Sequence, residues 1–321
     1  MAISTDLNLA KQFLESGKLV AIPTETVYGL AGNALDPLAV AAIFDTKNRP
    51  SFDPLIIHVA STQAVAQYIL EFPKALHKLA EKFWPGPLTL LLPKAPLIPD
   101  LVTSGLDRVA IRVPNHPLTL ELLRTLDFPL AAPSANPFGY ISPTTPAHVN
   151  AQLGELIPMI LDGGPSAVGL ESTIIGMEGD EIIVYRLGGL EIDLIEEVVG
   201  KVQLQDHSSS NPQAPGLLES HYAPTKPFIL GDLNKLIPHY ASQGKYFGVL
   251  SFQDFSEEVA SEKQIILSKV GNLKEAAANL FAAMRSLDGM NIDFILAELA
   301  PDHGLGKAIN DRLKRASATR G

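Results

Sequence analysis

Apolar and polar positions follow two rhythms along this chain, and together they predict a mixed α/β fold. Short apolar runs bounded by turn residues read as buried strands: 19–22, closed by Pro23, then 55–59, 88–92, 129–132 and 157–161. Residues 108–113 alternate polar and apolar until Pro114 stops them, and 168–176 and 182–187 read as adjacent strands. Helical spacing covers 6–16, with Asp6 as cap and Gly17 as stop. A second helix starts at Asp36-Pro37 and delivers Lys47 and Arg49 near its end. Helical patterns also cover 62–83 with a break at Pro73, then 117–126, 145–153 and 191–199, while 95–107 reads as loop. Strands and helices are interspersed without a strict βαβ order, which argues for a mixed sheet, α/β or α+β, rather than a regular doubly wound one.

The pattern changes after residue 204. Residues 205–215 are polar and turn-rich and read as a linker. His221 and Tyr222 follow directly, a pair with no packing reason in a linker. From 227 the rhythm is regular: strands at 228–230, 246–252 and 292–296, helices at 232–242, 271–287 and 306–317. This predicts a small three-layer parallel α/β domain. The expected division is therefore a first domain over 1–204, a linker over 205–225 and a C-terminal domain over 226–321. A length of 321 residues fits two cores better than one.

Composition narrows the function. There is no cysteine, so disulfides and thiolate chemistry are excluded and a cytoplasmic setting fits. No apolar run is long enough to span a membrane, and the first residues lack the pattern of a secretory signal. The net charge of −10 lies wholly in residues 1–200, which hold 12 Lys and Arg against 22 Asp and Glu. Such a surface is poor for polynucleotides. The five arginines of that part, at 49, 108, 112, 124 and 186, suit a small anionic ligand better, although each alone also reads as a solvated charge.

Standard catalytic signatures are missing. Gly306-Lys307 resembles the end of a phosphate-binding loop, but Pro301 and Ala308 break it, and there is no GxGxxG, GxSxG or HExxH. What remains is a set of polar residues at strand ends: Thr26, Lys47, Arg49, His58, Arg112, Ser134, Asn136, Ser142, Ser172 and Arg186. Cations, small hydroxyls and an amide without a clear nucleophile suit positioning and charge stabilisation, as in phosphoryl or nucleotidyl transfer. Each also has a plain structural reading: Thr26 and Ser172 as hydroxyls bonding the backbone, His58 as a core histidine, Ser134 and Asn136 as turn residues, Tyr222 as a packing aromatic.

A resemblance goes further than spacing. Pro23-Thr-Glu-Thr-Val-Tyr-Gly-Leu30, Lys47-x-Arg49-Pro50, Trp84-Pro-Gly-Pro-Leu-Thr89, Arg108-Val-Ala-Ile-Arg112-Val-Pro, Ala132-Pro-Ser134-Ala-Asn136, Glu171-Ser172-Thr173 and Arg186-Leu-Gly188 occur in order. Pro215-Gly216, His221-Tyr222-Ala-Pro224 and His303-Gly-Leu-Gly-Lys-Ala-Ile-Asn-Asp-Arg312 follow. Together they closely resemble the YrdC-like family in its long form, the threonylcarbamoyl-AMP synthases, over essentially the whole chain. The resemblance implies a twisted mixed sheet with a basic cavity and a Rossmann-like second domain. It implies a nucleotidyltransferase that makes threonylcarbamoyl-AMP and pyrophosphate from L-threonine, bicarbonate or CO2, and ATP. The product feeds threonylcarbamoyladenosine formation in tRNA. A separate downstream transferase complex performs that step, so no direct tRNA binding and no membrane association is expected.

The same resemblance implies roles. Lys47 and Arg49 would act on the phosphates as the catalytic pair. Arg49, Asp53, Arg108, Ser134, Asn136, Ser142, Arg186, His221 and Tyr222 would contact ATP. Thr26, His58, Arg112, Ala132 and Ser172 would contact threonine, with Arg112 facing its carboxylate. Mg2+ would ride on the phosphates without a dedicated protein cage. Asp53 is a departure, standing where the family usually has Asn. An ionised Asp repels a phosphate oxygen, which makes it a candidate for helping to hold the metal. Two other readings stay open: carbamoyl adenylation from carbamoyl phosphate, whose enzymes carry acylphosphatase and zinc modules that this chain lacks, and an RNA-binding or nucleotide-sensing protein without turnover.

Overall fold

The short apolar runs pair into one long mixed sheet in the first of two units. This computed structural model describes residues 2–205, 214 and 221–318. The first unit holds Met1–Phe138, Ser142–Ala167 and Glu171–Leu218, and the second holds Gly139–Ile141, Val168–Leu170 and Glu219–Gly321. No described helix is long and apolar enough to cross a membrane.

In chain order the first unit runs β1 (Ala2–Ser4), α1 (Leu7–Glu15), β2 (Val20–Ile22), β3 (Gly29–Asn33), α2 (Pro37–Lys47), β4 (Ile56–His58), α3 (Lys74–Phe83), β5 (Leu88–Pro93) and α4 (Asp100–Thr103). It continues with β6 (Arg108–Arg112), α5 (Pro117–Arg124), β7 (Leu130–Ala131), α6 (Pro146–Leu153), β8 (Met159–Leu161), β9 (Thr173–Glu178), β10 (Glu181–Arg186), α7 (Ile192–Val199) and β11 (Gln203–Leu204). The sheet order is β1-β8-β2-β3-β7-β4-β6-β5-β9-β10-β11, with parallel and antiparallel neighbours. Asp36 caps α2 through the Leu38 N–H with Pro37 in its first turn.

Several predicted elements change. Residues 62–83 do break at Pro73, but the part before it forms only a 3-10 turn, Gln63–Gln67, and the part after it α3. The loop 95–107 contains α4, and the strand expected from 168 begins only at Thr173. β3 was not anticipated, because Gly-Leu-Ala-Gly-Asn has little strand propensity. Its glycines are there for closeness: a Cβ on Gly32 would stand 2.9 Å from Leu19 Cδ2.

The strand period of two sorts the sheet into unlike faces. Ile57, Leu90, Leu92, Val109, Ile111, Ile175, Ile182 and Val184 belong to the main core, together with Leu76, Leu79 and Ala80 of α3 and Ile195 of α7. Ile56, Leu91, Ala110, Ile174, Ile183 and Tyr185 form a separate cluster on the opposite face. Ala214, fully buried, is part of that second cluster. Of the predicted 205–225 linker, 206–213 and 215–220 lie outside the described residues, including Pro215-Gly216.

The second unit contains β12 (Phe228–Leu230), α8 (Leu233–Ala241), β13 (Phe247–Ser251), β14 (Gln264–Ile266), α9 (Leu273–Asp288), β15 (Phe294–Ala297) and α10 (Leu305–Ser317). Its sheet is parallel throughout, in the order β12-β15-β13-β14. The His303–Arg312 stretch leads into and forms most of α10. Asn310 bonds both the N–H and the C=O of Ala300, and Arg312 is fully buried against Asp311. Gly306 must be glycine, since a Cβ there would meet the Pro301 carbonyl at 1.8 Å.

Candidate active site

The side-chain period that builds the second face also gathers the polar residues. His58 is two residues from Ile56, Arg112 two from Ala110, Thr89 two from Leu91, and Ser172 two from Ile174. All four therefore share the face of the smaller cluster. His58 and Arg112 are direct neighbours on the parallel strands β4 and β6.

Arg112 is the hub. It is 3% exposed, donates from Nη1 to Thr26 Oγ1 at 2.8 Å and from Nε to the Gly86 carbonyl at 3.2 Å, and pairs through Nη2 with Glu25 Oε1 at 2.6 Å. Thr24 orders the loop that carries these partners: its hydroxyl shares a 2.8 Å hydrogen bond with Thr26 Oγ1 and donates to the Val27 carbonyl at 2.6 Å. His58 is buried beside this guanidinium. Desolvation first, and the Arg112 charge second, lower its pKa to about 3, with the Ile56 and Leu130 backbone opposing. It is a neutral imidazole at physiological pH. Glu25 was not singled out from the sequence. Its signal is the acid inside Pro-Thr-Glu-Thr, which gains meaning only once Arg112 is seen beside it.

A second knot lies at the adjoining strand ends. Ser172 and Thr89 share a 2.7 Å hydroxyl–hydroxyl hydrogen bond. Arg186 donates to the Ser172 carbonyl from Nε (3.1 Å) and Nη2 (2.9 Å), and from Nη2 to its hydroxyl (3.1 Å). Ser142 donates to Glu171 Oε1 at 2.6 Å. Gly188 permits this arrangement, because a Cβ there would stand 2.3 Å from the Glu171 carbonyl. Ser172 and Arg186, assigned to different substrates by motif, thus stand in one hydrogen-bonded group.

The third group surrounds α2. Lys47 ends the helix, is 1% exposed, and donates to the carbonyls of Ser134 (2.5 Å) and Asn136 (2.6 Å). Burial first, then the Arg49 charge, hold its pKa well below the ordinary lysine value, with Asp53 opposing. Arg49 donates to the Asp53 carbonyl at 2.9 Å and to the Pro54 carbonyl at 2.8 Å, and pairs with Asp53 Oδ2 at 2.9 Å. Asp53 is fully buried. Ala132 joins the set through its N–H to the Ile56 carbonyl, and Ser134 bridges Gly29.

Arg108 stands apart at the opposite end of β6. It donates to the Tyr185 hydroxyl at 2.8 Å, and that hydroxyl donates to Glu178. His221 and Tyr222 belong to the second unit, where Tyr222 does have a packing role. It is 1% exposed, stacks on Phe281 with centroids 5.5 Å apart, and lies beneath the guanidinium groups of Arg312 and Arg315 at 4.9 and 4.8 Å. The expectation that this pair had no packing reason is therefore corrected.

Among the described residues, no three His, Asp or Glu converge on a possible metal position. Asp53, the acid proposed for that task, faces Arg49. Among the described residues there is thus no protein cage for a metal ion here, which fits an ion held chiefly by a ligand's own phosphates.

Comparison with known proteins agrees with this architecture. A family model covering the Sua5, YciO and YrdC proteins, described as telomere recombination, matches residues 12–188. A model described as the C-terminal domain of threonylcarbamoyl-AMP synthase matches residues 190–318. The chain is 39% identical to the threonylcarbamoyl-AMP synthase of Pyrococcus abyssi, over 98% of this chain and 94% of that protein. It is also 39% identical to that of Bacillus subtilis, over 97% and 92%. The crystal structure of P. abyssi Sua5 complexed with L-threonine superposes with a TM-score of 0.92 at 38% identity, covering 98% of this chain and 96% of the other.

Proposed function

The chain belongs to the threonylcarbamoyl-AMP synthase family, and from that premise we propose that it joins L-threonine, bicarbonate or CO2, and ATP into threonylcarbamoyl-AMP and pyrophosphate. As a member of that family it is an adenylyl-transferring synthase. The observation that carries the substrate reading is Arg112: a buried guanidinium at a strand end, flanked by the Thr26 hydroxyl and neutral His58. A planar, permanently charged fork in a water-poor site suits an α-carboxylate. A relative of 38% identity has been solved with L-threonine.

In this reading threonine's carboxylate takes Arg112, exchanging with Glu25. Thr26, His58, Ala132 and Ser172 shape the pocket around its side chain and amine. Glu25, released from Arg112, is the nearby carboxylate that accepts the ammonium proton. The neutral amine then forms a carbamate, with CO2 by losing a second proton to solvent or with bicarbonate by releasing water. A carbamate oxygen attacks the α-phosphorus of ATP, the bond to the bridging oxygen breaks, and pyrophosphate leaves.

Arg49, Ser134, Asn136, Ser142 and Arg186 are the phosphate and nucleotide contacts we assign, with Lys47 holding the Ser134–Asn136 loop and Arg108 further along β6. Bound Mg2+ would neutralise phosphate charge, with Asp53 as its possible protein ligand. We place the chain upstream of a separate complex that transfers the threonylcarbamoyl group to tRNA, a division of labour that the acidic first 200 residues support. Pyrophosphate release with threonine and bicarbonate omitted in turn tests the proposal.

A further inference from the structure

The second unit has a crevice of its own. Strands β13 and β15 are neighbours, but their connections diverge. β13 leads to β14, its neighbour on the other side. β15 leads to α10, which packs against β12 at the far edge. In open parallel sheets, ligands bind at the carboxyl ends of strands where successive connections part in this way. A cavity of about 360 Å3 opens at that place, lined by Ser251 at the end of β13, Glu298 just beyond β15, the loop after β13 and the first turns of α8.

Its chemistry is specific. Ser251 is 2% exposed and lines the cavity, and its hydroxyl has no hydrogen-bond partner among the described residues. A buried hydroxyl without a partner is costly unless a ligand supplies one. Asp254, Glu257, Glu258 and Glu298 face the same space, and no Lys or Arg is among its lining residues. Burial, with smaller contributions from Asp254 and Asp232, raises the pKa of Glu298, which accepts a hydrogen bond from the Phe252 N–H. The start of α8 is closed to phosphate, since Asp232 caps it through the Asn234 N–H. The carboxylates do not converge as a metal cage. Leu233 and Phe255 supply apolar walls.

We propose that the second unit binds a small organic cation, an amine or guanidinium on a short apolar stem, at this switch point between β13 and β15. The charged head pairs with Glu298 at the strand ends, Ser251 bonds one of its N–H groups, the other three carboxylates make the cavity wall negative, and the stem lies on Leu233 and Phe255.

Calorimetric titration of the full chain with agmatine tests this, with adenosine and AMP run in parallel. The expected result is saturable one-to-one binding of agmatine alone. Glu298→Gln should weaken it about tenfold and Ser251→Ala about threefold. The exposed pair Glu257→Gln and Glu258→Gln should also weaken it, which guards against misfolding of the buried variants. Asp180→Asn with Asp193→Asn, exposed acids of the first unit, should leave it unchanged. Absence of saturable binding, equal loss in the control pair, or preference for adenosine or AMP would overturn the proposal.

Discussion

Glu25 and Arg112 form a buried ion pair, Oε1 to Nη2 at 2.6 Å, with both side chains less than a tenth exposed. The pair joins the β2–β3 loop to the end of β6, in the place where we put threonine's carboxylate and amine. A buried pair broken on one side leaves an uncompensated charge, so the two residues should fail differently. Arg112→Lys keeps the charge but loses the fork. It should raise the KM for threonine about 10- to 100-fold with the KM for ATP little changed. Glu25→Gln should lower kcat more than threonine affinity and alter its pH profile. Steady-state kinetics over pH 6–9 with threonine calorimetry checks this. An unchanged kcat profile in Glu25→Gln would reduce that residue to a counter-charge.

His58 makes stability depend on acid. Its pKa falls from an ordinary 6.5 to about 3 in the folded chain. Between those values the unfolded chain binds the proton and the folded chain does not, so stability rises with pH and is lost as pH drops through that window. From pH 7 to pH 5 this one group should contribute a loss of about 2 kcal/mol. Urea unfolding at both pH values should show a steeper loss in the parent chain than in His58→Gln. Equal slopes would contradict a neutral, buried imidazole.

Lys47 is both a candidate catalytic cation and the pin of the Ser134–Asn136 loop. Lys47→Met keeps much of the stem but leaves two carbonyls without their donor, at a cost of about 1–3 kcal/mol each if they stay dry. Melting temperature should fall along with activity. Loss of activity with an unchanged melting temperature would mean that Lys47 acts on the phosphates and does not pin the loop.

Asp53 separates two roles. Its carboxylate holds Arg49 at 2.9 Å. If it also helps to hold Mg2+, Asp53→Asn should raise the Mg2+ concentration needed for half-maximal rate severalfold. An unchanged Mg2+ dependence with a lower KM for ATP would leave it as a partner of Arg49 alone.

Parts of this fold are legible in the sequence alone. Alternation at Arg108–Arg112 and the capped start of α2 follow from local chemistry, and the structure forms both elements. The mixed sheet and the parallel second unit were readable for the same reason. β3 was not, because its glycines answer to Leu19, Ile43 and Ala132 rather than to strand propensity. Glu25 and Thr89 gain their meaning from Arg112 and Ser172, partners far away in the chain. Tyr222 looked unpartnered because Phe281, Arg312 and Arg315 lie many residues downstream.

The proposed synthesis makes one product depend on three substrates. Purified chain incubated with ATP and Mg2+ should release pyrophosphate, and form an equal amount of threonylcarbamoyl-AMP by mass spectrometry, only when L-threonine and bicarbonate are both present. Pyrophosphate release that persists without threonine, or no adenylate product with all three substrates present, would contradict it.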